Sequence, residues 1–204
     1  MSVLLSKEID KLKKMTLMLA TKVEESVGRA MDSVNARDIR LAEEVIIGDD
    51  QIDSMEIELE EECLKILALH QPVAIDLRYV IACMKINNDL ERIGDLAVNI
   101  AERAISISHS SKKEDFVPVD FTEMIEKTRI MLDMSLKAFV DMNSHLAVKV
   151  CSMDEEIDAL NRETYVEIKK IIKKKPKKTS YFLHLLGVAR QLERIGDYAS
   201  NISE

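Results

Sequence analysis

Turn formers and aromatic side chains are scarce in this chain of 204 residues, which has 5 glycines, 3 prolines, no tryptophan and 4% aromatics. Sandwiches and barrels need frequent turns and strands rich in aromatic or β-branched residues, so an all-β fold is excluded. No uncharged apolar run approaches the ~18 residues that a membrane span requires. The opening MSVLLSKEIDKL lacks a basic region followed by a long apolar stretch, so no secretory leader is expected. Cys63, Cys83 and Cys151 are odd in number, far apart and without a Cys-x-x-Cys pair, which points to reduced thiols and a cytoplasmic setting.

Several chemistries are missing as well. His70, His109, His145 and His184 all stand outside the acidic motifs described below, and no Glu-x-x-His of a di-iron oxidase occurs. There is no glycine-rich phosphate loop, no dinucleotide fingerprint and no recognisable Ser/Cys–His–Asp arrangement, so catalysis is not expected. With 37 acidic and 29 basic side chains the net charge is −8, whose field opposes nucleic-acid binding.

What the chain does have is charge (32%), hydrophobic residues (47%) and helical periodicity. Leu90, Ile93, Ala97, Ile100 and Ala104 recur at spacings of three and four, as do Val45, Ile52, Met55, Leu59, Cys63 and Ile66. Pro72, Pro118 and Pro176 punctuate the pattern, and Asn35 and Asn143 fall near further breaks. Six helices are predicted, over about 6–34, 37–70, 74–109, 120–142, 144–174 and 178–203. Long helices with short connections pack as antiparallel neighbours, so an all-α fold of two tandem antiparallel three-helix bundles follows, over residues 1–112 and 119–204.

The halves repeat. NDLERIGDLAVNIAE (88–102) matches RQLERIGDYASNISE (190–204) at an offset of 102, with LERIGD identical. Asp49 and Asp53 match Asp154 and Asp158 at an offset of 105, so the connection between second and third helices differs by three residues. Each half therefore carries two carboxylate pairs at i, i+4: Asp49/Asp53 with Glu91/Asp95, and Asp154/Asp158 with Glu193/Asp197. Such neighbours repel unless a cation joins them. Four hard oxygen donors suit Mg²⁺, Ca²⁺, Mn²⁺ or iron better than zinc or copper held by soft ligands. Asn99, Asn201 and Glu56 are weaker candidate ligands. On a helical wheel the acids flank or oppose the apolar stripes, which places them along an exposed groove between helices. A solvated acidic face is the alternative for any one pair; repetition of both pairs is what argues for metal.

Other residues have plainer readings. Gly94 and Gly196 each cost a helix about 1 kcal/mol relative to alanine, which a close helix approach, or room beside a metal, would explain. Arg92 and Arg194 are expected to bridge neighbouring carboxylates, with anion binding as the alternative. Lys169 to Lys178 holds seven lysines, read either as complement to a helix C-terminus or as a docking patch for an acidic partner or an anionic membrane.

The run QPVAIDLRYVIACMKINNDLERIGDLAVNIAE, followed by LERIGDYASNIS, resembles the PhoU family, and the resemblance extends over nearly the whole chain. Its motifs are the entry Pro72, Asp76, Leu77, Arg78 and the doubled Glu-Arg-Ile-Gly-Asp. The resemblance implies a cytoplasmic negative regulator of the phosphate-starvation response and of phosphate uptake. It implies partners too: the ATPase subunit of the phosphate transporter, a sensor histidine kinase and a second copy in a homodimer, with membrane association only peripheral, through those partners. It also implies multinuclear metal clusters, often iron, on the eight carboxylates named above. The second half departs from the pattern, having Lys-Pro-Lys-Lys-Thr-Ser at its entry, and its third helix is expected to be short. A carboxylate-site metal enzyme and a metal-free helical adaptor are the competing readings.

Overall fold

In the computed structural model, residues 3–110 and 119–204 are described. Six helices run through them: α1 (Val3–Ala36), α2 (Ile39–His70), α3 (Ala74–Ser110), α4 (Thr122–Val140), α5 (Ser144–Lys174) and α6 (Thr179–Ser203). A 3₁₀ turn, Pro176–Lys178, leads from α5 into α6. No strand occurs among the described residues. Helices α1–α3 pack on one another, as do α4–α6, giving the two three-helix bundles that periodicity predicts. The predicted break at Pro118 lies outside the described residues.

The apolar stripes form the core. Leu90, Ile93, Ala97 and Ile100 on α3 and Leu59, Cys63 and Ile66 on α2 are fully excluded from solvent, whereas Met55 is only partly buried. Cys63 and Cys83 are buried thiols, and burial pushes them up to about 12 and about 11 respectively. Cys151 is exposed.

The turns after α1 and α4 are built alike. Arg37 (φ 51°) and Met142 (φ 50°) each take the left-handed conformation. The next amide reaches five residues back, Asp38 N–H to Ser33 O at 3.0 Å and Asn143 N–H to Ala138 O at 2.8 Å. Asp38 and Asn143 then cap the following helices: Asp38 accepts from the amides of Arg40 and Leu41, and Asn143 from that of Leu146. Asn143 is thus the turn residue the sequence suggests. Asn35 is not, since α1 runs past it to Ala36 and the cap is Asp38.

The bundles join along α3 and α6, and less extensively along α1 and α4. Equivalent tyrosines reach across this seam. Tyr79 of α3 stacks on Phe139 of α4, with ring centroids 5.3 Å apart and planes at 11°. Tyr181 of α6 accepts a 3.1 Å hydrogen bond from Arg37, whose guanidinium lies 5.8 Å from its ring centre.

A left-handed L-residue costs about 1–2 kcal/mol, part of which glycine returns through the unfolded chain's entropy. Met142 is 66% exposed, so Met142→Gly should raise stability by about 0.5–1 kcal/mol in urea unfolding. Arg37→Gly should gain less or nothing, because it also removes the contacts to Tyr181.

Candidate metal centre

Helices α2 and α3 approach closely where α3 carries Gly94. A β-carbon there would lie 3.2 Å from Ile52 Cγ2 and 3.3 Å from Asp49 Oδ1. The second half repeats this: a β-carbon on Gly196 would lie 3.2 Å from Ile157 Cδ1 and 3.8 Å from Asp154 Oδ1. The close-approach reading of these glycines is therefore realised. The missing side chain admits an isoleucine from the facing helix and, beside it, an aspartate.

That packing brings each pair of acids opposite the other. Asp49 sits deepest in the first set. Burial is the main reason its carboxyl is pushed up to about 6, and the charges of Asp53, Asp95, Glu91 and Asp50 add to it. Its Oδ1 is buried and meets no hydrogen-bond donor. Glu91 is raised as well, by burial first and then by Asp95, while Arg92 pulls the other way and Asp53 and Glu56 push up. In the second set Glu193 is raised by burial, Asp197, Asp158 and Asp154, against Arg190. Asp197 is raised by burial, Asp154 and Asp158, against Arg194. Asp53, Asp95 and Asp197 are exposed, and the other five are part-buried. The eight candidates thus form two acidic clefts, one in each bundle, each partly open to solvent.

The oxygens are neighbours without being a finished cage. Among the described residues, no three carboxylate, imidazole or thiol side chains converge on a single ligating point. A cation would have to draw them inward, for which part-exposed side chains have the freedom. Donor type fits a hard cation, as does the orphaned Oδ1 of Asp49, which lacks the partner a buried oxygen requires.

The weaker candidates separate from these sets to different degrees. Glu56 accepts a 3.2 Å hydrogen bond from Asn87, and burial, Glu60 and Asp53 raise its carboxyl. Asn99 donates to the Asp95 carbonyl at 2.7 Å. Asn201 is exposed and lines a different cleft, with Arg78, Lys85 and Met142. Arg92 pairs with Glu91 at 3.7 Å. Arg194 reaches no carboxylate within 4.0 Å among the described residues, although its charge is felt at Asp197.

Two supporting residues escape a search for ligands. Buried Asn87 donates to both the carbonyl and the carboxylate of Glu56, which fixes α2 against α3. The signal for it is an amide on the apolar face of α3. Ile52 and Ile157 occupy the glycine notches, and their equivalence is visible in GDDQID and MDEEID.

A carboxyl raised in the folded state binds its proton more tightly there than in the unfolded chain. Folding is then favoured below its unfolded value, and that contribution is lost as pH rises through the folded one. For Asp49 the window runs from about 4 to about 6. In chelator-treated protein, the urea midpoint should fall as pH rises across this window, and Asp49→Asn should flatten the fall. Replacing Gly94 with leucine should separate α2 from α3 and cost about 1–3 kcal/mol in the same measurement.

The PhoU domain matches this chain twice, over residues 16–104 and 121–204. The phosphate-specific transport system accessory protein PhoU homolog of Aquifex aeolicus is 38% identical over 190 residues, 93% of this chain and 85% of that protein. The crystal structure of PhoU from Pseudomonas aeruginosa has a TM-score of 0.90 at 34% identity, covering 97% of this chain and 94% of that one. The phosphate transport system regulatory protein PhoU from Streptococcus pneumoniae gives 0.86 at 29% identity, over 98% and 93%. Doubled domain, tandem bundles and likeness over most of the chain agree, and the chain belongs to the PhoU family.

Proposed function

We propose that this protein is a non-enzymatic regulator of phosphate-specific transport whose two acidic clefts bind divalent cations. One observation carries the metal reading: a buried, unpartnered Asp49 oxygen is held against Gly94 opposite Glu91 and Asp95, with Asp154 placed more loosely over Gly196 in the second bundle. Support for the transport role comes from relatives named as accessory or regulatory proteins of phosphate transport systems.

The ligand set we propose is Asp49, Asp53, Glu91 and Asp95 in the first cleft, and Asp154, Asp158, Glu193 and Asp197 in the second. Iron or another hard divalent cation would neutralise the repulsion within each set and fasten α2 to α3 and α5 to α6. The bundles then act as a cytoplasmic adaptor, as a homodimer, between the transporter's ATPase subunit and a sensor histidine kinase. Such an adaptor works by binding one state of its partners better than another, and so shifts their populations without chemistry of its own. No helix among the described residues is long and apolar enough to cross a membrane, in keeping with a role at the membrane through partners.

Elemental analysis of protein purified without added metal tests this. Stoichiometric metal should be lost from the first cleft in Glu91→Ala/Asp95→Ala and from the second in Glu193→Ala/Asp197→Ala. Metal content unchanged in both would overturn the assignment and leave a metal-free adaptor. Manganese at a hundred times its dissociation constant should stabilise the stripped protein by about 2.7 kcal/mol per cleft, about 5.4 for both, a rise of roughly 10–20 °C in Tm.

A further inference from the structure

The acidic clefts leave unused the most basic stretch of the molecule. Lys169, Lys170, Lys173, Lys174, Lys175, Lys177 and Lys178 close α5, form the 3₁₀ turn and lead into α6. The first six are exposed. None of those six has a carboxylate within 4.0 Å among the described residues, whereas Arg162, two turns before Lys169, is held by both Glu155 and Asp158. Stabilisation by the helix dipole acts only over the last turn. It accounts for Lys173 and Lys174 and leaves Lys169 and Lys170 before it, and Lys177 beyond it, unexplained. The corresponding turn of the first half, His70–Gln71–Pro72, has no lysine, so the feature does not belong to the duplicated packing unit.

Apolar side chains stand exposed among these cations. Tyr165 is 53% exposed, Val166 49% and Leu183 52%. Val166, Lys169, Lys170 and Lys173 follow at i, i+3, i+4 and i+7 and share one stripe of α5, while Leu183 lies just past the turn on α6. The 3₁₀ turn packs chiefly against the two helices it joins, α5 and α6.

We propose that this pole docks directly on an anionic lipid surface, with the lysines among the headgroups and Tyr165, Val166 and Leu183 at the shallow apolar boundary. Folded protein partners favour arginine, whose fork fixes geometry, and their interfaces are depleted in lysine. Here every cation of the run is a lysine, a mobile point charge suited to a fluid array of phosphates. The net charge of −8 does not prevent it. Exposed Glu163 and Glu167 precede the run on α5 and leave residues 163–178 at a net charge of +5, while Asp158, the nearest proposed ligand, is about 17 Å along the helix from Lys169, two Debye lengths at physiological salt. This contact does not depend on metal in the clefts.

The test is co-sedimentation of the full chain with vesicles of phosphatidylcholine alone or with phosphatidylglycerol mixed in, over a series of salt concentrations. Binding should require phosphatidylglycerol and weaken as salt rises. Changing Lys169, Lys173, Lys174 and Lys177 together to glutamine should weaken it about a hundredfold or more. The same change at Lys7, Lys14, Lys22 and Lys149 should leave it within a few-fold of the parent. Equal binding to both vesicle types, or equal losses in the two variants, would overturn the proposal. So would retention on poly-glutamate without binding to phosphatidylglycerol, which would assign the pole to an acidic protein.

Discussion

The closeness of two helix pairs governs this molecule. Glycine is a poor helix residue, yet Gly94 and Gly196 each sit mid-helix under an isoleucine from the neighbouring helix. Without that notch α2 and α3 would stand further apart, Ile52 would lose its seat, and Asp49 would face water instead of α3. Burial of Asp49, its raised carboxyl and its coupling to Glu91 and Asp95 all follow from the same contact. The second bundle repeats the arrangement with Ile157 and Asp154, a little more loosely. Packing and candidate chemistry therefore cannot be varied independently at this place.

Much of this was legible in the sequence because helices this long announce themselves by period, and because duplication supplies an internal comparison. The matching of LERIGD and of the aspartates at different offsets locates both the facing helices and the altered turn between them. Depth was not legible. An i, i+4 spacing places Asp49 and Asp53 on one face, but only the packed structure shows that the first is part-buried with an unpartnered oxygen and the second exposed. Asn35 illustrates a second limit. Asparagine suits a turn, yet Asp38 takes the cap because α1 continues until Arg37 reverses the chain. Local preference proposes the residue, and the length of the apolar stripe decides where the helix stops.

Charge is distributed unevenly along α5. Its middle contributes Asp154 and Asp158 to an acidic cleft, and its end carries lysines that no carboxylate of the described residues reaches within 4.0 Å. A single helix thus spans two electrostatic environments separated by more than the screening distance, so each can meet its own partner without neutralising the other. The first bundle has the cleft without the basic end, which makes the duplicated halves unequal in what they offer a partner while alike in fold.

The tyrosines at the seam have a consequence for how such a chain could arise. Tyr79 of the first bundle contacts the first helix of the second, and Tyr181 of the second contacts the end of the first helix of the first. These contacts are reciprocal, with equivalent elements exchanged, as in a twofold-symmetric pair of identical subunits. A lone three-helix unit bearing that tyrosine would present a self-complementary face. The present chain has the arrangement that joining two such units would give, and halves so joined need not remain identical, as the lysines carried by only one of them illustrate.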